Sequence, residues 1–307
     1  MNSTGIGNCT TIHEFCCLES LKEPQRSIIT ALNVLLSIIA FMGNVLIFAA
    51  LQKLSTTLHP PSKLLFGCLA STDFFVGLFS QPLFVTFIFA PEHSKLCYYT
   101  TILTNTIGFI FSGVSLLTIT AISVDRLLAL LLRLRYRQVV TLRRVWVLVI
   151  FFWLFSTVFS IAMHYKRRIA EAILCIIMSS CLVTSIFCYI KIYRTLHRHQ
   201  AEVKANASQG QPNEARTPLN IARYRKTVSS ALWVQMTLVA CYLPFSVVTG
   251  LRGALGLHSA TLHQVHAVTI TLLLMNSTLN PFLYCWKIKE VRRAVKDTIK
   301  ILNCFPD

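Results

Sequence analysis

Asp73 is the one acid set in the middle of a long apolar stretch, within Leu69-Ala70-Ser71-Thr72-Asp73. An acid at the centre of a membrane helix costs about 2.5–3.5 kcal/mol, so it must face other helices and find partners there. Asn44, Ser115, Asn276, Ser277 and Asn280 fall at matching depth in other apolar stretches. Carboxylate, hydroxyl and amide oxygens together suit a hard cation, and they suit a hydrogen-bonded structural acid as well. The run Asn276-Ser277-Thr278-Leu279-Asn280-Pro281-Phe282-Leu283-Tyr284 adds a proline to a polar helix. Its ring frees a carbonyl that neighbouring groups must satisfy, which turns Asn280, Pro281 and Tyr284 toward the protein interior. A second ionic group, Asp125-Arg126-Leu127, closes an apolar stretch. An arginine at a membrane edge pairs with its neighbour or snorkels to water. With Asp73 as the only mid-span acid, the spans hold neither paired acids nor a metal-ligand set, so an intramembrane enzyme is excluded.

The elements that must hold these residues are membrane helices. Of the 307 residues 54% are hydrophobic and 13% charged, and seven apolar stretches near 27–51, 64–89, 98–132, 145–163, 169–193, 227–251 and 260–286 are each long enough to cross a bilayer core. With the N-terminus outside, 22 of the 29 Lys and Arg fall on the cytoplasmic side and 7 on the other. That is a strong positive-inside bias. The net charge of +17 therefore sits beside membrane spans, where anionic lipid attracts it, and nucleic acid is not an expected partner. No internal repeat with broken helices points to a transporter. The N-terminus is polar and lacks the pattern of a cleaved leader, so the first span is expected to act as its own signal anchor. Asn2 and Asn8 open glycosylation sequons in that outer segment.

Among eleven cysteines, Cys68, Cys181, Cys188, Cys241 and Cys285 lie in spans as small buried hydrophobes. Cys9, Cys16, Cys17 and Cys97 map to the oxidising side, and vicinal Cys16 and Cys17 pair with each other only under strain. Cys97 is expected to bond an N-terminal cysteine, with Cys175 a competing partner.

Gly43-Asn44-Val45, Leu69-Ala70-x-x-Asp73, Val124-Asp125-Arg126, Trp153, Pro244 and Asn280-Pro281-x-x-Tyr284 follow one another along the chain. In this order they resemble the rhodopsin-like (class A) G protein-coupled receptors. The resemblance implies an all-α membrane protein, a seven-helix bundle with an interfacial eighth helix. Its parts would be an extracellular N-terminus over 1–26, the transmembrane domain over 27–286, and an amphipathic helix and short tail over 287–307. It also implies an allosteric sodium ion at Asp73, Ser115, Asn276, Ser277 and Asn280. The switch residues it implies are Asp125, Arg126, Tyr189, Tyr242, Pro244, Asn280, Pro281 and Tyr284. The chain departs from the family at Leu127, where tyrosine is usual, at Tyr242 for tryptophan, and at Cys181 for the fifth-helix proline. Where many relatives place an acid that locks the arginine, this chain reads Arg223-Tyr224-Arg225-Lys226. Measurable basal signalling is the expectation.

The ligand pocket implied by the resemblance comprises Asn105, Gly108, Phe109, Ser112, Tyr242, Phe245, Thr249, Arg252 and His266. Amine receptors carry an aspartate where this chain has Gly108, and retinal-binding relatives need a lysine absent from 260–286. An amine receptor and an opsin are excluded on these grounds. No acid lies within the outer half of a span, Glu92 and Glu171 being assigned to loops or their edges, and Lys166, Arg167, Arg168 and Arg252 form a basic rim. That rim meets either headgroups and solvent or a ligand. A neutral, anionic or lipid-like small molecule is the expected ligand. The short, cysteine-free second outer loop gives a likeness to the melanocortin, cannabinoid and lysophospholipid receptor group.

Basic residues of the second inner loop and the polar linker 199–218 should frame a G-protein cleft. Ile288, Val291, Val295, Ile299 and Leu302 form one stripe of an interfacial helix, and Cys304 is a palmitoylation candidate. With no Ser or Thr after Cys304, phosphorylation would fall on Thr195, Ser208 or Thr217. The function expected is a plasma-membrane receptor, N-terminus outside, that binds an extracellular ligand and signals through a heterotrimeric G protein. The alternative is a receptor-like decoy or scaffold that does not couple.

Overall fold

The computed structural model describes residues 23–53, 59–91, 94–165, 167–208, 236–252, 260–287, 292, 293 and 295. Asn2, Asn8, Cys9, Cys16, Cys17, Glu92, Lys166, Thr217, the segment Arg223 to Lys226, Cys304 and most of the expected eighth helix lie outside the described residues. Among those described, seven long helices follow one another: α1 Glu23–Lys53, α2 Pro60–Phe89, α3 Lys95–Leu132, α4 Leu142–Tyr165, α5 Arg167–Ser208, α6 Met236–Arg252 and α7 Ala260–Lys287. Each expected apolar stretch falls on one of them as far as it is described, the stretch 227–251 from Met236 onward. Helices α1 to α5 are long and apolar enough to cross a membrane, and α6 is a shorter apolar helix. Helix α5 runs past the apolar stretch ending near 193 because Ala, Glu, Lys and Gln, all good helix formers, continue its sequence.

Local signals set the ends. Pro60 and Pro61 open α2, where a missing N–H costs nothing. Ser94 caps α3, its hydroxyl accepting the Cys97 N–H at 3.0 Å. At the far end of α3, Arg133 takes φ 45°, and the chain turns through Arg133–Arg135 into a short helix, Tyr136–Val139. Within α2 one wide turn, Val76–Ser80, adds a residue to the spiral just before Gln81 and Pro82.

The bundle buries its mid-span polar side chains and turns many apolar ones outward. Asn33, Asn44, Asp73, Gln81, Ser115, Asn276 and Asn280 are all at most 1% exposed, whereas Leu154, Val158, Ile176 and Val183 are more than 60% exposed. That inversion is what a hydrocarbon solvent selects. An axial core of Leu69, Leu116, Ile119, Leu238, Tyr242 and Leu273 joins α2, α3, α6 and α7. Because apolar contact drives little association in lipid, close backbone approach and interhelical hydrogen bonds hold the helices together. Asn33 Nδ2 donates to Thr271 Oγ1 at 3.0 Å, Asn44 Nδ2 to the Ser277 carbonyl at 3.1 Å, and Thr278 Oγ1 to the Leu36 carbonyl at 3.1 Å. Gly77 lies so near α1 that an added Cβ would stand 2.8 Å from the Phe41 nitrogen, and a Cβ on Gly43 would meet the Pro281 ring at 3.0 Å.

Candidate functional site

The Asp73 cluster forms where α2, α3 and α7 meet. Asp73 is fully buried; Oδ1 accepts from Ser115 Oγ at 3.2 Å and Oδ2 from Asn280 Nδ2 at 2.6 Å. Asn44 ties α1 to the Ser277 carbonyl beside it. The remaining amide oxygens, Asn280 Oδ1 and Asn44 Oδ1, are buried without a hydrogen-bond partner, as is Asn276 Nδ2. Unsatisfied buried acceptors cost about 1–3 kcal/mol each, and a donor or a hard cation is the kind of group that would satisfy them.

The ionic pair at the end of α3 is organised by residues that the sequence did not single out. Asp125 Oδ1 accepts from the Tyr136 hydroxyl at 2.6 Å and Oδ2 from Ser62 Oγ at 2.9 Å. Arg126 Nη2 lies 3.3 Å from Oδ2 but makes no aligned hydrogen bond, so the contact is an ion pair alone. The guanidinium carbon lies 5.5 Å from the centre of the Phe66 ring. Burial, and then the bond to Asp125, push the Tyr136 phenol up to about 12, so it stays protonated as a donor. Tyr136 stands eleven residues after Asp125, on a different element, and only the Arg133 turn brings the two together. Leu127 packs with Leu130, Cys188, Ile192 and Leu196, with Tyr189 against the same cluster. Pro281 and Tyr284 lie within α7 and Pro244 within α6.

At the other end of the bundle three clefts share Phe109 and Phe245 as walls, with about 520, 460 and 450 Å³ of free space. Asn105, Gly108, Phe109, Ser112, Tyr242, Phe245, Thr249 and His266 all line one or more of them. Arg252, half-buried at the end of α6, is a wall of none of the three. The His266 and Phe245 rings stack at 5.5 Å. Tyr242, 2% exposed, forms the floor and donates its hydroxyl to the Ser112 carbonyl at 3.3 Å, tying α6 to α3. This is the polar partner that its hydroxyl requires.

One acid assigned to a loop or its edge reaches the cavity. Glu171 lies in the first turns of α5, not in a loop, and lines the cavity with Asn105, His164 and His266. Because only residue 166 separates α4 from α5, the helix begins early enough to carry Glu171 inward. Gly108 still stands where amine receptors carry an aspartate, and Glu171 is a second place at which an acid meets this cavity. Ser80 and Thr104 are further walls absent from the expected set, and their hydroxyls, like that of Thr249, are buried without partners. Cys97 is engaged in a disulfide whose partner lies outside the described residues, and Cys175 is a free thiol.

Residues 43–177 and 165–284 match the family described as 7 transmembrane receptor (rhodopsin family). Trace amine-associated receptor 9 of Homo sapiens is 22% identical across 93% of this chain and 88% of its own length. Adenosine receptor A3 of Ovis aries is 26% identical, covering 85% and 86%, and the high-affinity lysophosphatidic acid receptor of Xenopus laevis 23%, covering 98% and 92%. Their names carry three different ligands, so the likeness reaches the receptor class and stops short of the ligand.

Proposed function

The chain belongs to the rhodopsin family of seven-transmembrane receptors, and from that premise we propose that it responds to a neutral, lipid-like small ligand and signals through a heterotrimeric G protein. It is a G protein-coupled receptor and a multi-pass membrane protein, a receptor and not an enzyme. The single observation that carries the signalling proposal is the alignment of three contacts on α3. Ser112 takes the Tyr242 hydroxyl under the cavity, Ser115 reaches Asp73, and Asp125 holds Arg126 at the far end.

In this reading the N-terminus faces outward at the plasma membrane, with glycans at Asn2 and Asn8 and a palmitoyl group at Cys304. Ligand entering beside Phe109, Phe245 and His266 displaces Tyr242 from the Ser112 carbonyl and lets α6 pivot at Pro244. A sodium ion held by Asp73, Ser115, Asn276, Ser277 and Asn280 favours the resting state. The buried, unpartnered Asn280 Oδ1 beside the carboxylate supports that fit. Release of the ion and of the Asp125 to Arg126 pair frees the arginine for the G protein. Glu171 in the cavity weighs against an anionic ligand, by like-charge repulsion, and favours one competing reading, a protonated amine.

Guanine-nucleotide exchange on a panel of purified G proteins tests the proposal, with wild type and Arg126→Ala at matched surface expression, in sodium and in choline chloride. We expect basal exchange that sodium lowers and Arg126→Ala abolishes, raised further by monoacylglycerols more than by aryl-ethylamines. Failure of every G protein to exchange, with folded receptor and either ligand class present, overturns coupling and leaves the decoy or scaffold.

A further inference from the structure

Resting on the cavity as the ligand site, we infer that the cleft between α3, α4 and α5 holds the hydrocarbon chain of an uncharged amphiphile that enters sideways from the bilayer. On these three helices the walls are mostly apolar, with Phe109 and Leu116 from α3, Phe155 and Phe159 from α4, and Ile177 beside Met178 on α5, broken by Ser112 and Ser156; Tyr242 and Phe245 of α6 and Leu273 of α7 close the inner side.

The position of the cleft argues for the side entrance. Helix α4 packs mainly on α3 and only lightly on α5. Phe155, Phe159, Leu174 and Ile177 are only half-buried, so the walls reach the outer surface of the bundle. Their neighbours there, Leu154, Val158, Ile173 and Ile176, are exposed and apolar, so a chain passes from lipid into the cleft without crossing a charged group. At the end of α4, His164 Nε2 and Thr106 Oγ1 lie 2.7 Å apart and join that helix to α3.

The shared walls Phe109 and Phe245 lead from this cleft to the polar cavity, where Asn105, His266 and the unpartnered, buried hydroxyl of Thr249 can bond a hydroxylated head. Asn105 and Thr249 offer an amide and a hydroxyl, groups that bond an uncharged head. The deep end of the cleft abuts Tyr242, so the length of the chain decides whether its end reaches the residue that bridges α6 and α3.

The test uses the full chain in lipid nanodiscs and monoacylglycerols of increasing chain length, with binding read as the thermal-unfolding shift at fixed mole fraction so that partition into the bilayer cancels. Binding should be saturable, rise with chain length to a maximum, and fall beyond it. Leu174→Trp, which fills the membrane-side wall, should move the maximum to shorter chains and weaken the longest by about tenfold, the scale of overpacking a filled cavity. Phe159→Ala, which widens the cleft, should move it to longer ones and keeps the test available if the tryptophan variant misfolds. A monoacylglycerol with a terminal diazirine should label α4 near 155–159 and α5 near 174–178, blocked by excess unlabelled probe of matching length. Labelling elsewhere, no length optimum, or an alkylamine of equal chain binding more tightly would each overturn the assignment. No saturable binding beside Arg126-dependent nucleotide exchange overturns the cleft and leaves the receptor reading; saturable binding without exchange does the reverse.

Discussion

Asp125 accepts hydrogen bonds from Ser62 and Tyr136 while its charge holds Arg126 at 3.3 Å, and the two hydroxyls compete with the guanidinium for the same two oxygens. Removing the phenol should therefore tighten the ion pair. We expect Tyr136→Phe to lower thermal stability by about 1–2 kcal/mol, the cost of a lost bond to a charged acceptor, and at the same time to lower basal nucleotide exchange. Chemical denaturation and exchange assays on the same preparation check both; higher basal exchange would contradict the competition. At Asp73 the carboxylate already accepts from Ser115 and Asn280. Asp73→Asn should abolish the difference in unfolding temperature between sodium and choline chloride while leaving the helical circular dichroism unchanged. A sodium-dependent shift that survives the substitution would place the cation elsewhere. Asp73 itself was legible in the sequence, because an acid in an apolar stretch demands partners whatever the fold. Ser62, Tyr136 and Glu171 were not, since a serine, a tyrosine and a glutamate near helix ends carry no signal of their own.

At the scale of helices, two glycines measure how closely the elements approach. A methyl on Gly77 would stand 2.8 Å from a backbone nitrogen of α1, which cannot move aside alone, whereas a methyl on Gly43 meets the Pro281 ring at 3.0 Å and a methyl on Gly67 meets nothing within 4 Å. Gly77→Ala is expected to destabilise by about 1–3 kcal/mol, Gly43→Ala by less. Gly67→Ala should stabilise by up to about 1 kcal/mol through helix propensity. Thermal unfolding of the three purified variants ranks them, and a Gly77→Ala as stable as Gly67→Ala would refute the close contact of α1 and α2. The sequence marked the helices by length and hydropathy, yet the wide turn at Val76–Ser80 had no period to betray it, since Gln81-Pro82 reads equally as the continuation of a straight helix.

For the whole molecule, the asymmetry of basic residues sets the orientation expected in a bilayer. Glycosidase treatment of receptor made in eukaryotic membranes should increase its gel mobility, and Asn2→Gln with Asn8→Gln together should remove that change. A full shift retained in the double variant would place the glycans, and with them the topology, elsewhere. By itself the sequence determined that this is a bundle of membrane helices with one buried acid cluster and one ionic pair. Hydrocarbon makes every polar residue in a long apolar stretch conspicuous and forces it inward. Only the tertiary structure decided which groups occupy the two oxygens of Asp125, that Glu171 faces the cavity, and that α4 and α5 leave a hydrophobic cleft against α3. Those depend on the turn at Arg133, on where α5 begins, and on which helices pack against α3. Packing sets such features among residues far apart in the chain, and hydropathy along the chain does not record them.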